Sequence, residues 1–179
     1  MGGNMWARVV QRGILTRPRD GEGRHEALVL RNPDGTWELP GGKVEHGEST
    51  LESLEREVHE ETGLSVTAAE PVETAVRKLK PKKNRGKFAV VYRCAFEGEG
   101  VELSDEHVAF AWRDFSEVSA TTIKQVDEYR SLRRVLAESV DEPRWERTAV
   151  HATGFDRSGE SLTNGEGAGD GKPDGGGDE

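Results

Sequence analysis

The sequence predicts an α/β sandwich, and three observations carry that prediction. Runs of β-branched and aromatic residues read as strands, a loop-helix-loop is set between them, and a late stretch shows helical apolar spacing. The chain of 179 residues is long enough for one domain with a full core, taken as residues 1–150. Residues 151–179 are dominated by Gly, Asp, Glu and Ser and have the composition of a disordered tail.

Taken in order, Trp6 to Leu15 reads as a strand and the following TRPRDGEGR as a loop. His25 to Arg31 is a second strand, with Ala27, Leu28, Val29 and Leu30 as its apolar run. Asn32-Pro33-Asp34-Gly35 is a turn signal, since Pro fixes φ and Gly tolerates positive φ, so Thr36 to Leu39 returns as a hairpin with Trp37 as a packing aromatic. Pro40-Gly41-Gly42 leads into a helix over Ser49 to Thr62. A hydroxyl of Ser49 or Thr50 caps its start, Gly63 ends it, and Leu51, Leu54 and Val58 share one stripe toward the core.

Leu64 to Leu79 carries β-branched residues, and Lys87 to Phe96 is a strand around FAVVYRCAF. Between them lies a basic run, Arg77, Lys78, Lys80, Lys82, Lys83, Arg85 and Lys87, broken by Pro81; it is either a solvated hairpin loop or a collar for phosphates. Glu97 to Asp105 is a charged loop, Val108 to Trp112 a short strand, and Arg113-Asp114 a turn. From Thr122 to Val140, the spacing of Val126, Tyr129, Leu132, Leu136 and Val140 predicts an amphipathic helix laid on the sheet. Arg144 to Val150 has the makings of one more short strand.

Composition excludes several classes. A formal charge of -9 argues against binding to duplex nucleic acid, and no apolar run approaches the length of a membrane span. The N-terminus lacks a basic segment followed by an apolar core, so a cytoplasmic protein is expected. Cys94 is the single cysteine and is read as a buried strand residue. The acidic excess would also suit a salt-rich cytoplasm, in which case stability should rise between low and molar KCl.

Chemistry concentrates between Gly41 and Leu64. Glu57, Glu60 and Glu61 stand three and four apart on the helix, where like charges repel by about a few tenths of a kcal/mol per pair. A solvated acidic helix is the plain reading. A hard divalent cation, Mg²⁺ or Mn²⁺, is the functional one, because oxygen-only carboxylate ligands suit it and it also binds substrate phosphates. The full spacing decides between them: from Gly42 the segment runs through Glu48, Arg56-Glu57, Val58, Glu60-Glu61 and Gly63 to Leu64. It resembles the Nudix box of the Nudix hydrolases without a departure at any defined position.

That resemblance implies an α/β/α sandwich with a mixed sheet between helices. It implies that Glu57, Glu60 and Glu61 hold Mg²⁺ (or Mn²⁺), that Arg56 orients these carboxylates, and that Glu48 braces the loop or reaches the metal through water. Gly42 and Gly63 would shape the loop ends. The general base comes from the box or from a later loop, with Glu106 the leading outside candidate and Asp105 and Glu102 its neighbours; His107 is read as structural or solvent-facing. Gly41, Gly42 and Lys43, with Lys80, Lys82 and Lys87, are the residues expected near substrate phosphates.

The expected partner is a small nucleotide. Lys80-Pro81-Lys82, and LSDEH with Trp112, look similar to the diadenosine tetraphosphate hydrolase branch, whereas Gly41-Gly42-Lys43 is equally at home in the MutT-like triphosphate branch. A nucleoside polyphosphate therefore ranks first, and ADP-ribose or another nucleotide sugar second. The rival of another class is a Nudix-fold regulatory module that binds nucleotide without hydrolysis; such modules commonly lose box glutamates, and this chain keeps them. A homodimer through the N-terminal strand or the last helix stays open.

Overall fold

Strand alternation and helix caps build the observed architecture. The computed structural model describes residues 6–19, 24–80, 85–118 and 123–138, with backbone alone at 78–80. The sequence readings for Lys82 and Lys83, Thr122, Val140, the strand at 144–150 and the tail at 151–179 lie outside the described residues.

Among the described residues six strands, β1 (Trp6–Pro18), β2 (His25–Arg31), β3 (Trp37–Glu38), β4 (Ser65–Lys80), β5 (Arg85–Glu97) and β6 (Ala109–Asp114), form one sheet, and the helices are α1 (Thr50–Thr62) and α2 (Val126–Ala137). The sheet order is β3-β2-β1-β5-β4, with β6 paired to β2. β1 runs parallel to β5 from Trp6↔Arg85 to Leu15↔Cys94, then turns antiparallel to β2 over Thr16 to Pro18. The remaining pairings are antiparallel, so the sheet is mixed. β1 thus runs three residues further than the sequence suggested, because Thr16 to Pro18 still pair with β2.

The two faces of the sheet carry separate cores. Under α1, Leu54 and Val58 pack with Leu15, Leu28, Leu30, Leu64, Val90, Tyr92 and Cys94; under α2, Leu132 and Val135 pack with Ile14, Val29, Leu39 and Val91. Helices on both faces of a mixed sheet form the α/β/α sandwich expected. Gly13 leaves room for its strand neighbours in the core under α1, since a Cβ there would stand 3.1 Å from Leu15 and 3.2 Å from the Cys94 Sγ. Cys94 itself is buried and free, with its thiol pKa pushed up by burial.

Three expectations are corrected. Val126 does not join the apolar stripe but stands 76% exposed in the first turn of α2, where Asp127 and Glu128 turn inward instead. Val108 precedes β6 and is exposed. Arg113 and Asp114 belong to β6, and the turn follows them: Asp114 Oδ1 accepts from the backbone of Ser116 and Glu117 at 2.8 and 3.1 Å. No helix among the described residues is long and apolar enough to cross a membrane.

Candidate active site

Local chemistry fixes α1 before any tertiary contact is made. Ser49 accepts from Glu52 N while Glu52 accepts from Ser49 N, a reciprocal capping box, and Gly63 closes the helix at φ 71° with its N–H on His59 O. The helix start is tied to the preceding loop, because Ser53 Oγ donates to Lys43 O at 2.8 Å. That loop lies against β1: Gln11 N donates to Gly42 O, Gly13 N to Pro40 O, and Val44 N to Val9 O. Gly41 has φ 126°, and a Cβ there would meet Gln11 O at 2.5 Å, so only glycine fits.

Arg56 gathers Glu48, Glu57 and Glu60 but has no bond to Glu61. Its Nε donates to Glu48 Oε1 at 2.6 Å, its Nη1 to Glu60 at 3.0 Å, and its Nη2 to Glu48 Oε2 at 3.1 Å and Glu57 at 3.3 Å. This fork pulls the Glu48 pKa down to about 2, and Glu48 Oε2 also accepts from Glu45 N at 2.9 Å, so Glu48 braces the loop. Glu57 lies over the glycine loop and accepts from Lys43 N at 3.2 Å; a Cβ on Gly42 would collide with its carboxyl group.

Glu61 differs from the other two. It is buried, 7% exposed, and accepts from Gly41 N at 2.8 Å. Burial pushes its pKa up to about 7, against the opposing influence of that amide, Arg12 and His107. The three box carboxylates therefore occupy three environments, with Glu60 exposed, Glu57 half-buried and Glu61 inside. Among the described residues no three acidic, imidazole or thiol side chains are gathered closely enough to cage an ion.

The remaining expected residues divide. Lys43 is exposed and serves the loop through its backbone, and Lys87 is half-buried on β5. The side chain of Lys80 and all of Lys82 lie outside the described residues. Glu106, with Asp105 and Glu102, is exposed on the segment leading to β6. His107 is buried rather than solvent-facing: its Nε2 stands 3.5 Å from Glu38 Oε1, which raises its pKa, while Nδ1 has no partner.

Sequence reasoning missed a charged network on the α2 face. Glu128 is fully buried and accepts from Arg77 at 2.9 Å, from Arg12 Nε at 3.3 Å and from Leu39 N at 3.3 Å. Arg12 also reaches Glu38 at 3.3 Å, and Arg77 holds Asp127 through two bonds at 3.1 and 2.5 Å. The signal was present, since Glu128 falls four residues before Leu132, on the apolar stripe of α2. An acid there needs a buried partner.

The donor set fits a hard cation. The box supplies oxygen ligands only, Gly42 leaves the space Glu57 occupies, and Glu61 is a buried carboxylate whose raised pKa a cation would reverse. A mixed sheet carrying such a helix at the mouth of a glycine loop defines a class of phosphoanhydride-cleaving domains. The chain belongs to the NUDIX domain family, whose model matches residues 8–135. It is 42% identical over 93 residues to a MutT-like protein of Streptomyces ambofaciens, which covers 51% of this chain and 57% of that protein. It is 30% identical over 118 residues to the bis(5'-nucleosyl)-tetraphosphatase [asymmetrical] of Mus musculus, 63% of this chain and 77% of that enzyme. The solution structure of the Escherichia coli ORF135 protein superposes with a TM-score of 0.61 at 26% identity, covering 79% of this chain and 96% of that one.

Proposed function

We propose that the chain is a divalent-metal-dependent pyrophosphohydrolase acting in the cytoplasm on a nucleoside polyphosphate. The observation that carries this reading is the arrangement of Glu57, Glu60 and Glu61 around Arg56 and the Gly41–Gly42 loop. Those three carboxylates would hold the cation, Mg²⁺ or Mn²⁺. Bound there, it supplies charge neutralisation on non-bridging phosphate oxygens and an activated water.

The chain's own residues do the rest. Arg56 fixes Glu48, Glu57 and Glu60 in one fork. Gly41 and Gly42 let a phosphate approach the backbone, and Lys43 places positive charge beside it. Glu106, one residue from the buried His107, is the outside residue assigned to the general base. Attack forms a bond between the water oxygen and phosphorus and breaks a bridging P–O bond, and the water's proton passes to the base. The mouse tetraphosphatase among the relatives supports a polyphosphate over a nucleotide sugar.

A panel of nucleoside triphosphates, dinucleoside polyphosphates and nucleotide sugars, assayed with Mg²⁺ and with Mn²⁺ and read by product mass in ¹⁸O-water, tests the reading. Glu60→Gln and Glu61→Gln are expected to lower turnover by about two or more orders of magnitude with the fold intact. Near-normal activity in both would overturn it.

A further inference from the structure

The strand register lines up cations across β1, β5 and β4. Lys87 on β5 has Arg8 of β1 as its partner on one side and Arg77 of β4 on the other. One step further out, Arg85 pairs with Trp6 and with Lys80. Lys87 lies four residues from Val91, which packs in the α2-side core, so strand alternation puts Lys87 on that face. Arg12 is on the same face, two residues from Ile14 of that core.

These cations are unequally compensated. Arg77 is held by Asp127 and Glu128, and Arg12 by Glu38 and Glu128. Arg8 and Lys87 have no ion-pair partner among the described residues. Lys87 is nonetheless half-buried, and burial, then Arg12, Arg77 and Lys43, depress its pKa. An ammonium crowded in this way is destabilising unless an anion occupies the site. Lys43 joins the row to the box, since its backbone N–H is bonded to Glu57 and its bridge to Val10 sets it beside β1, two positions along from Arg8.

We propose that Lys87, flanked by Arg8 and Arg77 across β1, β5 and β4 and joined to the box by Lys43, forms a subsite for the distal phosphates of substrates bearing a chain of three or more phosphoryl groups. It rests on the pyrophosphohydrolase reading and deepens it, because it makes phosphate number the quantity the protein discriminates. A nucleotide sugar, with two phosphates and a neutral ribose beyond them, leaves the row unfilled. The inner cations are kept from folding onto the box carboxylates by their own acids on α2.

The experiment compares wild type with Lys87→Met, Lys87→Arg and Arg8→Gln on ATP, adenosine tetraphosphate, diadenosine tetraphosphate and ADP-ribose, with melting temperature measured alongside. Lys87→Met is expected to cut kcat/KM on the three polyphosphates by about tenfold, through KM, and to leave ADP-ribose within about twofold. Its melting temperature should be unchanged or higher, because a strained cation has been removed. Arg8→Gln, at an exposed position, should show the same selectivity more weakly, and Lys87→Arg should restore it. Equal losses on all substrates, or no loss, would overturn the subsite. Titration of inorganic tripolyphosphate into the metal-free protein separates this inference from the reading beneath it. A wild type that binds tripolyphosphate about tenfold tighter than Lys87→Met, yet hydrolyses nothing, keeps the subsite and defeats the hydrolase; equal binding defeats the subsite whatever the activity.

Discussion

The two faces of the sheet handle buried charge in opposite ways. On the α2 face, every buried acid has its base: Glu128 lies between Arg12 and Arg77, and Asp127 takes a two-pronged bond from Arg77. On the α1 face, Glu61 is buried with a backbone amide as its hydrogen-bond partner and no ion pair among the described residues, Arg12 and His107 acting on it only through space. Matched charge needs nothing from outside and holds elements together. Unmatched charge is tolerated where a ligand completes it. The difference sets the unmatched acid on the α1 side, while the α2 network ties β1, β4 and the Leu39 segment to one helix.

The largest expected effect breaks the matched side. Glu128→Ala leaves two guanidinium groups half-buried without their shared carboxylate and should cost about 3–5 kcal/mol in denaturant unfolding. A loss below about 1 kcal/mol would mean that the network is solvated and that the contrast between the faces is false.

The next tests the unmatched side. The Glu61 pKa is raised from an ordinary 4.5 to about 7 in the folded chain, so the folded state keeps a proton that the unfolded state releases. Metal-free stability should therefore be greatest below about pH 4.5 in this respect and fall as pH rises to about 7, by at most about 3 kcal/mol. Glu61→Gln should flatten that slope and be the more stable protein at pH 8 in EDTA, while losing activity. A wild-type curve that rises over this window after the other carboxylates are accounted for would contradict it.

The smallest effect is a control on the box helix itself. Ser49→Ala removes an uncharged cap and should cost about 1 kcal/mol, read as a modest drop in melting temperature. Its pH profile should match that of wild type, because neither charged region is touched.

The contrast also marks what the sequence made legible. The box helix was legible to within a residue at its start, where Ser49 or Thr50 could cap it, and at its end, where Gly63 acts on its own neighbours and needs no tertiary contact. β2 was equally legible, as its apolar run is bounded by His25 and Arg31. The burial of Glu61 was not. Helical geometry places it beside Glu57, but only packing of the Gly41 loop onto β1 decides which of the two is enclosed. The same holds for Val126 and Glu128, where an apolar residue stands exposed and an acid is fully buried because two arginines from distant strands wait beneath. Lys87 read as one member of a basic run, yet its partners Arg8 and Arg77 come from strands that the run does not contain.

The parallel pairing of β1 with β5 has a kinetic consequence. Its partners lie about eighty residues apart, and a parallel pair needs a long crossover, here one that contains the whole box and α1. Loop-closure entropy is therefore lost before the sheet repays it, and this step should be the slow one in folding. Until β1 and β5 meet, the Gly41 loop has a strand to lie on but no completed floor beneath Glu61. The helix with its caps should form early and the proposed ion-binding geometry late, so that a nascent chain carries the motif before the arrangement assigned to it.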